Sequence, residues 1–199
     1  MKTVVITGGT GDLGSVVVPR LATEFRCVVP YRKTPPPAMN NVVPLPSLDS
    51  IADLKPIYAL VNLAGGFGAG SSPEQFEKML DANLMSAVRA LAATLPHIEN
   101  GGRIVMISSA SSLTRPAGLA AYNASKAALN AVVETLARDL KDRSITVNAL
   151  LPTALDTPSM RKEMPPERLV KRSNVAEMVA LLLSEQAAAV TGQLIGMSA

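Results

Sequence analysis

The stretch Thr3-Val-Val-Ile-Thr-Gly-Gly-Thr-Gly-Asp-Leu-Gly14 joins a β-branched run to a cluster of glycines, and apolar residues then recur at helical spacing at Leu13, Val16, Val17, Leu21 and Phe25. The run predicts a buried strand over Lys2–Thr7, and the recurrence predicts a helix over Leu13–Phe25. Pro19 weakens that helix, because an interior proline removes a backbone donor and tends to kink the chain. Gly8, Gly11 and Gly14 suit a tight turn, the approach of a diphosphate to bare backbone, and close helix–strand packing. Free N–H groups and the positive end of the helix dipole would favour the anion. Glycines also serve ordinary strand–helix turns, so the pattern gains weight from standing at the first such junction of an alternating chain.

The alternation continues outward. Cys27–Tyr31 reads as a second strand, Thr34–Pro46 as a proline-bearing loop around a short Val42-Val43 strand, and Ser50–Leu54 as little more than one helical turn. Tyr58–Asn62 is the next strand, Pro73 opens a helix expected to run to about Leu95, and Arg103–Ser108 is a strand after Gly101-Gly102. Ala121–Asp142 predicts a long helix, Ile145–Leu150 a strand, Asn174–Glu185 a late helix and Gln193–Ile195 a last strand. Continuous apolar strands separated by helices imply an α/β chain. The expected fold is a single-domain Rossmann fold over residues 1–199, a doubly wound parallel sheet with helices on both faces.

With 48% hydrophobic and 18% charged residues, the chain is globular in composition. Its net charge of +3 comes without a basic run beyond Arg161-Lys162 and Lys171-Arg172, and only six residues are aromatic, so nucleic acid is not an expected partner. No apolar stretch approaches the ~20 residues that span a bilayer, and no apolar leader precedes the first strand; a cytoplasmic protein without a membrane partner is expected. Cys27 stands alone and reads as a small buried hydrophobe, and His97 as a surface or capping residue. One His and one Cys make a soft-metal site improbable, so no metal is expected.

The end of the second strand bears on which dinucleotide is bound. A carboxylate there would bond the ribose 2′-hydroxyl of NAD, whereas a cation accommodates a 2′-phosphate. No Asp or Glu occurs from Phe25 to Leu48, and Arg32 and Lys33 follow the strand directly. NADP(H) is preferred, with NAD(H) as the lesser alternative.

Tyr122 and Lys126 lie four residues apart and share one face at the start of a helix. A tyrosine of ordinary pKa near ~10 is a poor base at neutral pH, and a neighbouring ammonium would favour its phenolate. Alone, such a pair is more often a solvated helix surface. Here it stands among other segments. Gly102-Arg-Ile-Val-Met-Ile-Ser-Ser109 places Ser109 thirteen positions before Tyr122, within Ala121-Tyr-Asn-Ala-Ser-Lys-Ala-Ala-Leu129. Asn62-Leu-Ala-Gly65, Asp81-Ala-Asn-Leu84, Val147-Asn-Ala-Leu-Leu-Pro152, Asp156-Thr157-Pro158, Asn174-Val-Ala-Glu177 and Val190-Thr-Gly-Gln193 complete the set. Together, and over essentially the whole chain, they resemble the short-chain dehydrogenase/reductase family.

The resemblance implies that Ser109 holds the substrate oxygen and that Tyr122 is the general acid/base. It implies that Lys126 binds the nicotinamide ribose and lowers the Tyr122 pKa, and that Asn83 places a backbone-bound water in the proton relay. Gly8, Thr10, Gly11, Asp12, Leu13 and Gly14 would form the diphosphate loop, with Asn62, Ala64 and Gly65 toward the adenosine side and Pro152, Leu155 and Thr157 bordering the carboxamide. Relatives pair through the helices corresponding to Pro73–Leu95 and Ala121–Asp142, which implies a homodimer or homotetramer.

Three features depart from that pattern. Asp12 stands where the reductase branch of the family has glycine, and its carboxylate would repel a diphosphate unless it caps the helix and points away. Val43-Pro44-Leu45 lacks the Asp-Val that meets the adenine, and the segment up to Tyr58 is too short for a full sheet-covering helix. Thr153 replaces a glycine ahead of a short, proline-bearing lid at about 154–172. The expected activity is hydride transfer between NADP(H) and a small carbonyl or alcohol. The alternatives are a non-catalytic NAD(P)-binding sensor or regulatory protein and, from the glycine loop alone, an epimerase or dehydratase.

Overall fold

In the computed structural model, which describes residues 1–199, the first β-branched run is strand β1 (Thr3–Thr7). It is buried along its whole length between β2 (Arg26–Pro30) and β4 (Ile57–Asn62). β3 (Val42–Leu45), β5 (Ile98–Ile107), β6 (Thr146–Pro152) and β7 (Leu194–Met197) complete a seven-stranded sheet in the order β3-β2-β1-β4-β5-β6-β7. Every pairing is parallel. Strand order reverses at β1, which places the crevice at the carboxyl ends of β1 and β4, where such sheets bind ligands.

One face of the sheet is covered by α1 (Gly14–Leu21) and α6 (Arg172–Leu183), whose Val17, Leu21, Val175 and Val179 are fully buried. Burying one such side chain contributes roughly 1.5–3 kcal/mol. The other face carries α2 (Pro73–Leu80), α3 (Ser86–Thr94) and α5 (Ala120–Asp139), with Ala87, Ala90, Leu129 and Val133 against the strands. α4 (Ser111–Thr114) is a single turn after β5.

Several boundaries differ from the sequence expectations. α1 runs through Pro19 and ends at Leu21; Pro19 is exposed, so the carbonyl it leaves without a donor can face water. The helix expected from Pro73 to Leu95 is two helices joined by a π turn, Asp81–Met85, in which the Ser86 N–H reaches back to the Asp81 carbonyl. β5 begins at Ile98 rather than after the glycine pair. Gly101 adopts φ +77°, and the pairing shifts register between Ile57 and Ala59 of β4, so the glycines form an irregularity inside the strand. The β2–β3 crossover holds no helix, and the β3–β4 crossover holds only a 3-10 turn, Leu48–Leu54, which buries Ile51. Pro44 sits in β3, the sheet edge, where a missing N–H is tolerated.

Candidate active site

The glycine loop is built by close backbone approach. Gly8 has φ +70°, and a Cβ there would lie 2.5 Å from the Ala64 nitrogen; a Cβ on Gly14 would lie 2.4 Å from the Gly9 carbonyl oxygen. Gly9, which the expected spacing passed over, is also constrained, since a Cβ would meet the Val29 side chain at 2.7 Å. Gly11 is the open member, its nearest contact 3.4 Å away. The N–H groups of Asp12, Leu13 and Gly14 donate to no acceptor within the protein, at the positive end of α1. Bare backbone and free donors together fit a diphosphate.

Asp12 does not cap the helix. The cap position is Leu13, without a side-chain hydrogen bond, and the exposed Asp12 carboxylate enters no ion pair. The Asp12 carbonyl instead accepts from Ser15 Oγ (2.8 Å) and from Nη1 of Arg172 (2.7 Å), a residue outside the expected site set. Arg32 and Lys33 are exposed just beyond β2 and unpaired. Asn62 is fully buried; its side chain accepts from Thr7 Oγ1 at 2.6 Å and donates toward the Ala64 carbonyl, tying β1 to β4. Ala64 and Gly65 follow on the loop.

Gly65 brings the second cluster together. A Cβ there would lie 2.8 Å from Asn83 Oδ1 and 3.3 Å from Lys126 Nζ. Asn83 sits in the π turn, fully buried; its Oδ1 accepts from the Gly66 N–H (2.9 Å) and its Nδ2 donates to Ser125 Oγ (3.0 Å). Ser125 Oγ in turn donates to the Tyr122 carbonyl at 2.8 Å. Ser125 lies inside the Tyr122–Lys126 segment but is found as the link to Asn83 only through the fold. π turns recur at functional sites, and nothing in composition announces one.

Lys126 and Tyr122 occupy the first turns of α5, and Lys126, only 4% exposed, donates from Nζ to the Ile107 carbonyl at 2.9 Å. Burial lowers its pKa to about 8. Burial raises the half-buried Tyr122 phenol, and the Ser109 hydroxyl pulls it partly back. The expected lowering of Tyr122 by Lys126 is therefore not a property of this conformation: the ammonium is turned to Ile107 and is itself desolvated. Ser109, 6% exposed and two residues beyond β5, shares a hydrogen bond with Ser111 Oγ (3.0 Å) and accepts from the Ser111 N–H (3.3 Å). Phe67 packs edge-on against the Tyr122 ring with centroids 5.0 Å apart, and no sequence signal pointed to it.

Pro152 ends β6, and the segment expected to form the lid follows. It is held by a Leu155–Val170 bridge and by the bidentate Asp156–Arg161 pair, which keeps the Asp156 carboxyl below its ordinary value. Thr157 is buried, its hydroxyl 3.0 Å from Ser159 Oγ. No group of three His, Cys, Asp or Glu is placed to hold a metal, and no helix is long and apolar enough to cross a membrane.

Comparison with known proteins bears on this arrangement. Residues 49–198 match the family model described as enoyl-(acyl carrier protein) reductase. The 3-oxoacyl-(acyl-carrier-protein) reductase MabA of Mycobacterium tuberculosis is 28% identical, over 98% of this chain and 90% of its own. Among solved structures, a short-chain dehydrogenase/reductase from Serratia marcescens superposes with a TM-score of 0.85 at 28% identity, covering 98% of this chain and 96% of that one. A blue fluorescent protein from a metagenomic library, solved in complex with NADPH, gives a TM-score of 0.84 at 25% identity, with 98% and 96% covered.

Proposed function

The chain belongs to the short-chain dehydrogenase/reductase family of NAD(P)-dependent oxidoreductases, and from that premise we propose that it reduces a small carbonyl with NADPH, or oxidises the corresponding alcohol with NADP⁺. The observation that carries the reading is the convergence of Ser109, Tyr122, Lys126 and Asn83 beside a glycine loop with free donors. The preference for NADP(H) rests on Arg32 and Lys33, unpaired at the end of β2 with no carboxylate between Phe25 and Leu48.

When bound, the dihydronicotinamide would supply the hydride that a carbonyl carbon receives. Ser109 Oγ, released from Ser111, orients the carbonyl oxygen. Tyr122 Oη donates its proton to that oxygen as charge develops there, and in the oxidative direction removes the alcohol proton. A phenol raised by burial suits the acid direction in the free protein; Lys126, once drawn to the nicotinamide ribose, would favour the phenolate. Asn83 has its side chain committed to Gly66 and Ser125, so its share of the relay falls to the main chain of the π turn, where the regular hydrogen-bond ladder is interrupted. Leu155 and Thr157 would border the carboxamide, beneath the 154–172 lid. The substrate class follows the relatives: a 3-oxo ester or thioester is the first candidate. The protein acts as a homodimer or homotetramer in the cytoplasm.

The reading is tested by titrating the protein with NADPH and NADH, alone and as Arg32→Ala/Lys33→Ala. NADPH should bind more tightly than NADH, and the double variant should bring the two together. Equal affinities in the wild type would remove the NADP(H) preference. A protein that binds NADPH but turns over no carbonyl would instead be the sensor.

A further inference from the structure

Arg172 stands outside every motif that assigned a role, yet it is the side chain that reaches the glycine loop from across the crevice. It opens α6, directly after the lid, and its Nη1 donates to the Asp12 carbonyl at 2.7 Å and lies 3.5 Å from Ser15 Oγ. Its Nε and Nη2 donate to nothing in the protein. The guanidinium also lies close enough to the lid to help lower the Asp156 carboxyl. α1 and α6 pack side by side with their amino ends together, and the Arg20–Glu177 pair (2.8 Å) fixes them lower down, so the position of Arg172 is set by the helix pair. The loop it reaches contains the one feature that opposes an anion, the unpaired Asp12 carboxylate.

We propose that Arg172 is a cofactor-binding residue of this chain: its free N–H groups hold the diphosphate of the dinucleotide, offset the charge of Asp12, and join the lid to the glycine loop when the nucleotide is bound. The inference rests on the dinucleotide reading above. A guanidinium is suited to the task because its planar fork offers two parallel donors to a phosphate while a third stays on the Asp12 carbonyl. It would supply, from the lid side, the positive charge that a glycine at position 12 would not have required. A lid pinned to the nucleotide site through its last residue would order on binding, which matters for a lid whose own structure is two 3-10 turns and one bridge.

The test is fluorescence titration of NADPH into wild type, Arg172→Gln, Arg172→Lys, Asp12→Asn and Asp12→Asn/Arg172→Gln, at low and moderate salt. Loss of a charge-assisted contact should weaken NADPH roughly tenfold or more in Arg172→Gln. Arg172→Lys should recover part of it, and Asp12→Asn should tighten binding. The effect of Arg172→Gln should shrink in the Asp12→Asn background. Limited trypsin digestion supplies a second readout: NADPH should protect Arg161, Lys162 and Arg168 in wild type, and fail to in Arg172→Gln. If Arg172→Gln binds NADPH as wild type does and its lid is protected equally, the inference is wrong while the dinucleotide reading stands. If wild type binds neither NADPH nor NADH, both fall. Should Arg172→Gln fail to fold, unchanged affinity in Arg172→Lys together with unchanged affinity in Asp12→Asn overturns the proposal.

Discussion

Lys126 is the residue where the chemistry of the site and the stability of the fold meet. It holds a charge at 4% exposure with one carbonyl as partner, and burial depresses its pKa from 10.5 to about 8. Between those values the unfolded chain binds the proton that the folded chain has lost, so stability rises with pH as the penalty of the buried ammonium is relieved. Below pH 8 the penalty, roughly 3 kcal/mol, is fully present. Two groups oppose it at higher pH: the buried Cys27 thiol, pushed from 9.0 to about 12, and Tyr122, raised above 10, both lose stability as pH climbs past their unfolded values. Lys126 therefore dominates between pH 8 and 9, with Cys27 beginning to oppose it toward the upper end. Urea unfolding without nucleotide should show stability rising there by roughly 0.5–1 kcal/mol in wild type, and level or slightly falling in Lys126→Met. A flat wild-type profile would mean that the ammonium is better solvated than its geometry indicates. Tyr122→Phe should cut turnover about 10²–10⁴-fold with NADPH affinity unchanged, as expected when only the proton donor is removed. Ser125→Ala should lower kcat with little effect on the KM for NADPH, because it frees Asn83 Nδ2 without touching the glycine loop.

At the scale of elements, the glycines divide by what surrounds them. Gly14→Ala drives a methyl into the Gly9 backbone at 2.4 Å and should destabilise the protein by several kcal/mol, well beyond the 1–3 kcal/mol typical of overpacking against yielding side chains. Gly11→Ala meets nothing closer than 3.4 Å and should leave the melting temperature nearly unchanged. A pair of thermal melts checks both. Element order was legible because strand and helix periods differ, and the Tyr-x-x-x-Lys spacing placed both residues on one helix face. The misplaced boundaries share a cause. Gly101-Gly102 reads as a break because glycine commonly ends strands, but here β4 and β5 approach so closely that a Cβ on Gly102 would lie 2.7 Å from the Tyr58 carbonyl oxygen, and only the partner strand reveals that. The π turn at Asp81–Met85 adds one residue to a helix of unchanged composition. Pro19 is tolerated because its position in a short helix is exposed.

For the whole molecule, the parallel sheet explains why the site assembles at all. β1, β4, β5 and β6 all point their carboxyl ends the same way, so the glycine loop, Asn62–Gly66, Ser109 and Pro152 converge although they are spread over most of the chain. The motif residues were legible one by one. Their connections were not, because Arg172 to the Asp12 carbonyl, Gly66 to Asn83 and Phe67 against Tyr122 are contacts of the folded chain between segments with no shared pattern. Light scattering should find two or four chains of 20.8 kDa in the assembly; a monomer would contradict the proposed homodimer or homotetramer. The central claim is that hydride passes from the nicotinamide to a carbonyl under control of Tyr122. The most direct measurement is transfer of deuterium from 4-deuterated NADPH to ethyl acetoacetate and 4-nitrobenzaldehyde, read by mass spectrometry of the alcohols. Deuterium in the product alcohol with wild type, and none above background with Tyr122→Phe, is the predicted result; NADPH binding without label transfer to either probe, or transfer undiminished in Tyr122→Phe, would contradict it.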